Sequence, residues 1–376
     1  MSAEYIPAAR VRPEVFTSRA ADHIRRGLQR GHELSTGIRS AIAGYRRYFA
    51  HLTIAEADVR TAAATSHARL EEWAPNSAEE ISAVAEGAGV ATLDLMEVIA
   101  RTEIMTLAPA APTECSTVSL SRTGASVSAQ TWDWIADYST LWHYNDVGAV
   151  PGQLRHAGIA EYGMLGKIGL NEAGIGVHLN ILKHEGDRPG GVPIHAILER
   201  VLATAHTLPE ALEIIRSATT TSSSIITVVS ADEVVQVEIA NAQKRELRVG
   251  SGGAAGSGAA VGPGFLVHTN HFLHPELVPG GLELKPDSTS RARFDHLKRK
   301  VAEAELSSES GTAELVELLT TGPDEAPVCC IPDPDAPYGD RSATLVTVQI
   351  DPVRKRIDLA PGSPADGLEG NRSFEL

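Results

Sequence analysis

Cys115 is the side chain best suited to covalent chemistry in this chain. It opens the strand-like run TECSTVSL, just after a Pro-rich stretch. The other two cysteines, Cys329 and Cys330, are adjacent, a spacing that rarely reaches disulfide geometry. They read as packing beside a loop rich in Pro and Asp. A free cysteine is most often a small buried hydrophobe. To act as a nucleophile, Cys115 needs a base, a charged organiser and a donor for the oxyanion.

Candidates for those roles lie downstream. Asp133 sits between two tryptophans in QTWDW. In a strand, Trp132 and Trp134 share one face and Asp133 takes the other. A carboxylate turned toward a core must be paired or hydrogen-bonded. It either holds a loop or orients the amine of a nucleophile. Asn270, in VHTNHFLH, has a side-chain amide that can donate to a developing oxyanion. His268, His271 and His274 surround it at spacings of three. Along a strand they fall on opposite faces, and no HExxH spacing accompanies them, so no metal is expected. Asn171 and Asn180 bracket a Gly-rich hairpin and read as turn formers. Arg341, in YGDRSATLVTV, reads on its own as a solvated charge. The stretch 250–264, GSGGAAGSGAAVGPG, lacks the Lys-Ser/Thr pair of a phosphate cradle, so it reads as a flexible surface loop and no cofactor is implied.

The elements that would position these residues can be read from apolar periodicity. Helical spacing runs from about Glu14 to Arg30, from Thr36 to Leu52, over AEEISAVAEGAG after an Asn76-Ser77 cap, and from Leu93 to Met105. Beyond two Ala-Pro steps the texture changes. STVSLSR and ASVSAQTWDW alternate like half-buried strands, and 163–182 continues with short apolar runs cut by glycines. Two helices follow, PIHAILERVLATA and LPEALEIIRSA, each with Pro near its first turn. IITVVS and EVVQVEI are strands. Ser288 to Glu305 and Gly311 to Thr320 are helices, and ATLVTVQI and KRIDLAP are closing strands. Trp142–Val150 and His184–Gly191 read as loops, the kind of segment that forms pocket walls. Grouped strands and grouped helices predict a layered α+β fold.

Composition removes whole classes. The chain has 376 residues with 33 Lys+Arg against 48 Asp+Glu, a net charge of -15. Nucleic-acid binding rests on clustered cations, so a nucleic-acid partner is not expected. No window approaches 18 uninterrupted apolar residues, so no membrane span is expected. The first residues lack a basic patch followed by an apolar run, which points to a cytoplasmic protein.

Taken in order, Cys115-Ser116-Thr117, SAQTWDW, GKIGLNEAGIGVHLNIL, HTNHF, Ser290-Arg291 and DRSATLVTVQIDPVRKRIDLAPGSP resemble the isopenicillin N acyltransferase (acyl-CoA:6-aminopenicillanic acid acyltransferase) family. That family belongs to the autoproteolytic N-terminal-nucleophile hydrolases. The resemblance implies a four-layer αββα sandwich with a helical N-terminal segment. It also implies self-cleavage between Glu114 and Cys115, giving a helical fragment 1–114 and a catalytic core 115–376 that stay together as partners. Asp133 would then hold the α-amine of Cys115, Asn270 would donate to the oxyanion, Arg341 would tune the thiol, and Thr117 would assist cleavage. Trp132, Trp134, Tyr138 and Trp142 are candidates for an apolar acyl pocket. One departure stands out: the family usually has Gly where this chain has Glu114, and a Cβ makes strained peptide geometry harder to adopt.

The implied activity is cleavage of an N-acyl small molecule through a Cys115 thioester. Water or an amine can accept the acyl group, and an acyl-CoA-dependent N-acyltransferase shares the chemistry up to the thioester. An uncleaved ligand-binding protein is the alternative of another class. A homo-oligomer is compatible with all three.

Overall fold

The computed structural model describes residues 7–109, 114–249, 260–262, 264–304 and 310–376. Two sheets dominate. The first has eight strands in the spatial order Val15–Ser18, Trp142–Val147, His156–Glu161, Ile168–Asn171, Gly176–Ile181, Ser224–Val229, Val234–Ala240 and Gln243–Leu247. The second has seven, in the order Ala260–Gly262, Phe265–His268, Ser116–Leu120, Val127–Ile135, Ser342–Asp351, Arg356–Pro361 and Arg372–Glu375. Most of these strands are rich in Val, Ile and Thr and buried along their whole length, as strands covered on both faces must be.

The sheets face each other across a polar seam. Thr117 Oγ1 donates to Asn180 Oδ1 at 2.8 Å, Gln130 Nε2 donates to the same oxygen at 3.0 Å, and Ser128 Oγ lies 2.7 Å from His178 Nε2. The outer face of the second sheet, with Val118, Leu120, Val127 and Ala129, packs on helices Ser290–Glu303 and Thr312–Leu319 through Phe294, Leu297 and Leu315. Helices Ile194–Thr204 and Leu208–Ser217 cover the first sheet. The layering is helix, sheet, sheet, helix, the four-layer sandwich that the resemblance implies.

The N-terminal third adds helices His23–Glu33, Ser35–His51, Glu56–Trp73, Pro75–Ala88, Thr92–Ile99 and Arg101–Met105. His23–Glu33 lies against Pro75–Ala88 with no room between them: a Cβ built on Gly31 would overlap the Val84 carbonyl oxygen. Among the described residues no helix is long and apolar enough to cross a membrane.

Several expectations change. The span 14–30 is not one helix. Val15–Ser18 is a strand, pairing in parallel with Trp142–Val147, and the helix starts only at His23, where the Asp22 carboxylate accepts from the Arg25 amide at 2.7 Å. Apolar spacing alone does not distinguish a short edge strand from the first turn of a helix. Trp142–Val147 is an inner strand rather than a pocket loop. Leu93–Met105 breaks at Ala100 into two helices. The helix Pro75–Ala88 opens on Pro75, ahead of the expected Asn76-Ser77 cap, and stops on Gly89, whose φ of 66° suits glycine. The helix Glu56–Trp73 went unread. Of the Gly/Ala/Ser stretch, residues 250–259 and 263 lie outside the described residues, while Ala260–Gly262 is an edge strand.

Candidate active site

Strand register brings the distant segments together. Thr117 sits opposite Gln130 on one side and His268 on the other. Continuing that register toward Cys115 reaches Trp132 and Asp133 on one neighbour and Thr269 and Asn270 on the other. Cys115 is 3% exposed, so whatever acts on it is already in contact.

The backbone of Cys115 is held at both ends. Its N–H donates to Asn270 Oδ1 at 2.8 Å. Its carbonyl accepts from Arg293 Nη1 at 2.9 Å and from Asn180 Nδ2 at 3.1 Å. The thiol lies 3.8 Å from the Asp133 carbonyl oxygen. Burial, reinforced by the nearby Asp133 carboxyl, pushes the Cys115 thiol up to about 12, against the opposing pull of Lys167 and Arg293. In the intact chain the thiol is therefore protonated.

Asn270 turns its acceptor oxygen, not its amide, toward Cys115. Its Nδ2 donates to the Ile181 carbonyl at 2.9 Å, and its own backbone N–H is held by Ser290 Oγ at 2.8 Å. Asp133 accepts from Thr344 Oγ1 at 2.6 Å through Oδ1, while Oδ2 is buried with no hydrogen-bond partner among the described residues. Burial drives its carboxyl well above the usual carboxylate range, against the opposing pull of Thr344 and Arg293. Thr117 connects Gln130 to Asn180 and so steadies the residue that grips the Cys115 carbonyl. Cys330, read as background, bonds through its N–H to Thr344 Oγ1 at 3.0 Å and helps fix the partner of Asp133.

Arg341 is elsewhere. Its Nη2 pairs with Asp137 Oδ1 at 2.8 Å. The guanidinium beside Cys115 is that of Arg293, which sequence reasoning missed. Arg293 is fully buried and also donates to Ser116 Oγ at 2.7 Å, to Asn270 Oδ1 at 3.0 Å and to Thr289 Oγ1 at 3.0 Å. The helical spacing from Thr289 to Arg293 was readable. Its approach to Cys115, across 178 positions, was not.

Glu114 is as firmly held as the cysteine. Its carboxylate accepts from Ser288 Oγ at 2.6 Å, from the Thr289 N–H at 3.0 Å and from Thr289 Oγ1, and Arg293 Nη2 lies 3.5 Å away. Burial alone would raise its pKa. Arg293, Ser288 and Thr289 outweigh burial and hold the group below the usual range, so it is ionised.

A second buried charge cluster, also unread from sequence, borders the site. Lys167 Nζ sits 3.6 Å from the Trp132 ring centroid and donates to Glu161 Oε1 at 2.6 Å; Arg101 shares that carboxylate at 2.7 Å. Burial lowers the Lys167 ammonium to about 7 even with Glu161 beside it. Two cations and aromatic faces thus compensate one carboxylate in the interior.

The expected pocket aromatics are core residues. Trp132 and Trp142 meet edge to face, Trp134 Nε1 donates to Tyr45 Oη at 3.0 Å, and Tyr138 Oη bonds the Gly44 carbonyl. A cavity of about 380 Å³ lies instead beside Ile181, lined by Met105, Leu107, Leu182, Leu282 and Leu284, with part of 184–187 at its rim. It is mostly apolar and of ordinary ligand size. His268 Nε2 lies 2.8 Å from Glu238 Oε1 and His271 Nδ1 lies 2.7 Å from Ser290 Oγ. Among the described residues no group of three or more His, Cys, Asp or Glu is placed to hold a metal ion.

The family described as acyl-coenzyme A:6-aminopenicillanic acid acyl-transferase matches residues 121–366. The 40 kDa form of acyl-coenzyme A:6-aminopenicillanic-acid-acyltransferase from Emericella nidulans is 28% identical over 303 residues, covering 78% of this chain and 77% of the relative. Among solved structures, a Caenorhabditis elegans N-acylethanolamine-hydrolyzing acid amidase ortholog is 16% identical with a TM-score of 0.42, over 70% of this chain and 100% of that one. A mutant conjugated bile acid hydrolase from Clostridium perfringens is 12% identical with a TM-score of 0.41, over 70% and 97%.

Proposed function

The chain belongs to the acyl-coenzyme A:6-aminopenicillanic acid acyl-transferase family, and we propose that it is a self-processing amidohydrolase of N-acyl small molecules that works through a Cys115 thioester. The observation that carries this reading is the convergence of Asn270, Asn180 and Arg293 on the backbone of Cys115, with the thiol against Asp133.

Self-cleavage comes first. The Cys115 sulfur bonds to the Glu114 carbonyl carbon, the C–N bond breaks, and the nitrogen leaves as the α-amine carrying the thiol proton. Water then hydrolyses the thioester, returning the thiol and leaving Glu114 as a carboxylic acid. A free α-amine has a reference pKa near 8, which lets it serve as general base to its own thiol. Asn270 Oδ1, which already accepts from this nitrogen, keeps it in place. Asp133 Oδ2, without a hydrogen-bond partner among the described residues, is a ready acceptor for the new ammonium, which in turn favours the charged form of the carboxyl.

In each turnover the same sulfur attacks the substrate carbonyl and the amine leaves with a proton. Water then releases the acid. Arg293 supplies the positive charge that favours the thiolate, the role expected of Arg341. Arg341 holds Asp137 where the strand carrying Asp133 ends. Asn270 would donate to the oxyanion through the second N–H of Nδ2, the first being held by the Ile181 carbonyl. Thr117 positions the nucleophile through Asn180. Transfer of the acyl group to an amine, which the family description favours, shares every step up to the thioester.

Intact mass spectrometry tests this directly. The purified protein is expected as two pieces of about 12 and 28 kDa, split from 39.8 kDa in proportion to residues 1–114 and 115–376. Cys115→Ala is expected to remain whole. A wild-type chain that stays whole on storage refutes the proposal, and a Cys115→Ala chain that still splits assigns the cut to another protease. Product analysis with an added amine separates hydrolysis from transfer.

A further inference from the structure

Glu114 lies on the acyl side of the bond that Cys115 attacks, so its side chain stands where the side chain of a substrate acyl group would stand. That side chain is not loosely placed. Its carboxylate is gripped by Ser288 Oγ, by the Thr289 N–H and Oγ1, and by the fully buried Arg293. Once the segment ending in Glu114 departs, this cradle keeps its donors and its charge. The remaining partners of Arg293, namely the Cys115 carbonyl, Ser116 Oγ, Asn270 Oδ1 and Thr289 Oγ1, are all neutral. Asp133 acts on Arg293 only through space, and a buried guanidinium that loses its nearest carboxylate is costly, so the vacated cradle favours an anion.

We propose that Ser288, Thr289 and Arg293 form the acyl-specificity subsite of the processed enzyme, and that its substrate is an amide of a dicarboxylic acyl group of glutamate length, such as a glutaryl or α-glutamyl amide. The inference rests on the Cys115 reading and deepens it by naming the acyl class. The chain's own cleavage is then its first turnover, with Glu114 as the acyl group. A neutral acyl chain of the same length would leave the Arg293, Ser288 and Thr289 donors unmatched, the situation in which polar sites discriminate most strongly. The overall acidity of the chain is no obstacle, because the cradle is local and Lys285 adds to its positive potential.

The test uses processed protein whose cleavage has been checked by intact mass before any substrate is added. Glutaryl-p-nitroanilide and pentanoyl-p-nitroanilide are compared by nitroaniline release. A kcat/KM ratio of at least about tenfold in favour of the glutaryl compound is expected, a difference typical of losing one charge-assisted hydrogen bond. Thr289→Val is expected to narrow that ratio. A ratio at or below one, or no release from the glutaryl compound, overturns the proposal while leaving the Cys115 chemistry standing. An uncleaved protein overturns the reading beneath it and is recognised at the first step.

Discussion

Arg293 touches both sides of the Glu114–Cys115 bond. Arg293→Met leaves the Glu114 carboxylate buried without its guanidinium, and removing one partner of a buried pair costs about 3–5 kcal/mol. We expect that loss in urea denaturation, together with arrested cleavage in intact mass. Arg341→Met removes a pair with Asp137 that lies away from the thiol, so a smaller stability loss and retained cleavage are expected. The contrast tests the transfer of the cationic role. Cys115, Asp133, Asn270 and Thr117 stood out as candidates because the segments around them resemble the family in order, and the strand register that brings those segments together follows from the fold. Arg293 was not, because a helical arginine looks solvated until the fold turns its face inward. The orientation of Asn270 was also hidden. Which end of an amide faces a nucleophile depends on the Ile181 carbonyl, and no sequence pattern announces that contact.

Long amphipathic helices and hydrophobic strands announce themselves by period, and Ser35–His51, Ile194–Thr204, Ser224–Val229 and Ser342–Asp351 were readable that way. Val15–Ser18 was not, because its four residues are too short to fix a period and its pairing partner is distant in the chain. The close approach of His23–Glu33 to Pro75–Ala88 was equally hidden. Gly31 meets the Val84 carbonyl and the Ala88 amide where any side chain would collide. Gly31→Ala exchanges a helix-propensity gain of about 1 kcal/mol for an overpacking penalty of about 1–3 kcal/mol. The collision is with backbone, which yields little, so a net loss is expected in chemical denaturation. The helix pair carries Arg26 and Glu80, buried and paired at 2.6 Å, so the same substitution also loosens that ion pair.

At the scale of the whole molecule, buried histidines set the response to acid. Burial lowers His143, His156 and His178 from 6.5 to about 3. The unfolded chain therefore takes up these protons first, and stability is fully present above pH 6.5 and declines as pH falls below it. Glu103 and Glu199 act the other way, since burial raises both from 4.5 to about 7 and the folded state gains protons first. Their contribution is full at low pH and is lost as pH rises from 4.5 to above 7. Asp133 acts with these carboxyls, but His195 and His271 are lowered by burial as well, so the histidines outnumber the carboxyls and the thermal midpoint is expected to fall between pH 7 and pH 5. His178→Gln is expected to flatten that decline by about one proton, or about 1.4 kcal/mol per pH unit. The strand Val15–Ser18, inserted beside Trp142–Val147, carries a different implication. If the chain is cut at Cys115, that strand belongs to one polypeptide and its neighbour to another, and a sheet that folded as one molecule is thereafter sustained by two. Refolding becomes a second-order encounter, and the assembled state depends on how many halves are present to meet. The cut would thus act as a one-way ratchet: the continuous chain supplies a register that the separated halves must recover by diffusion.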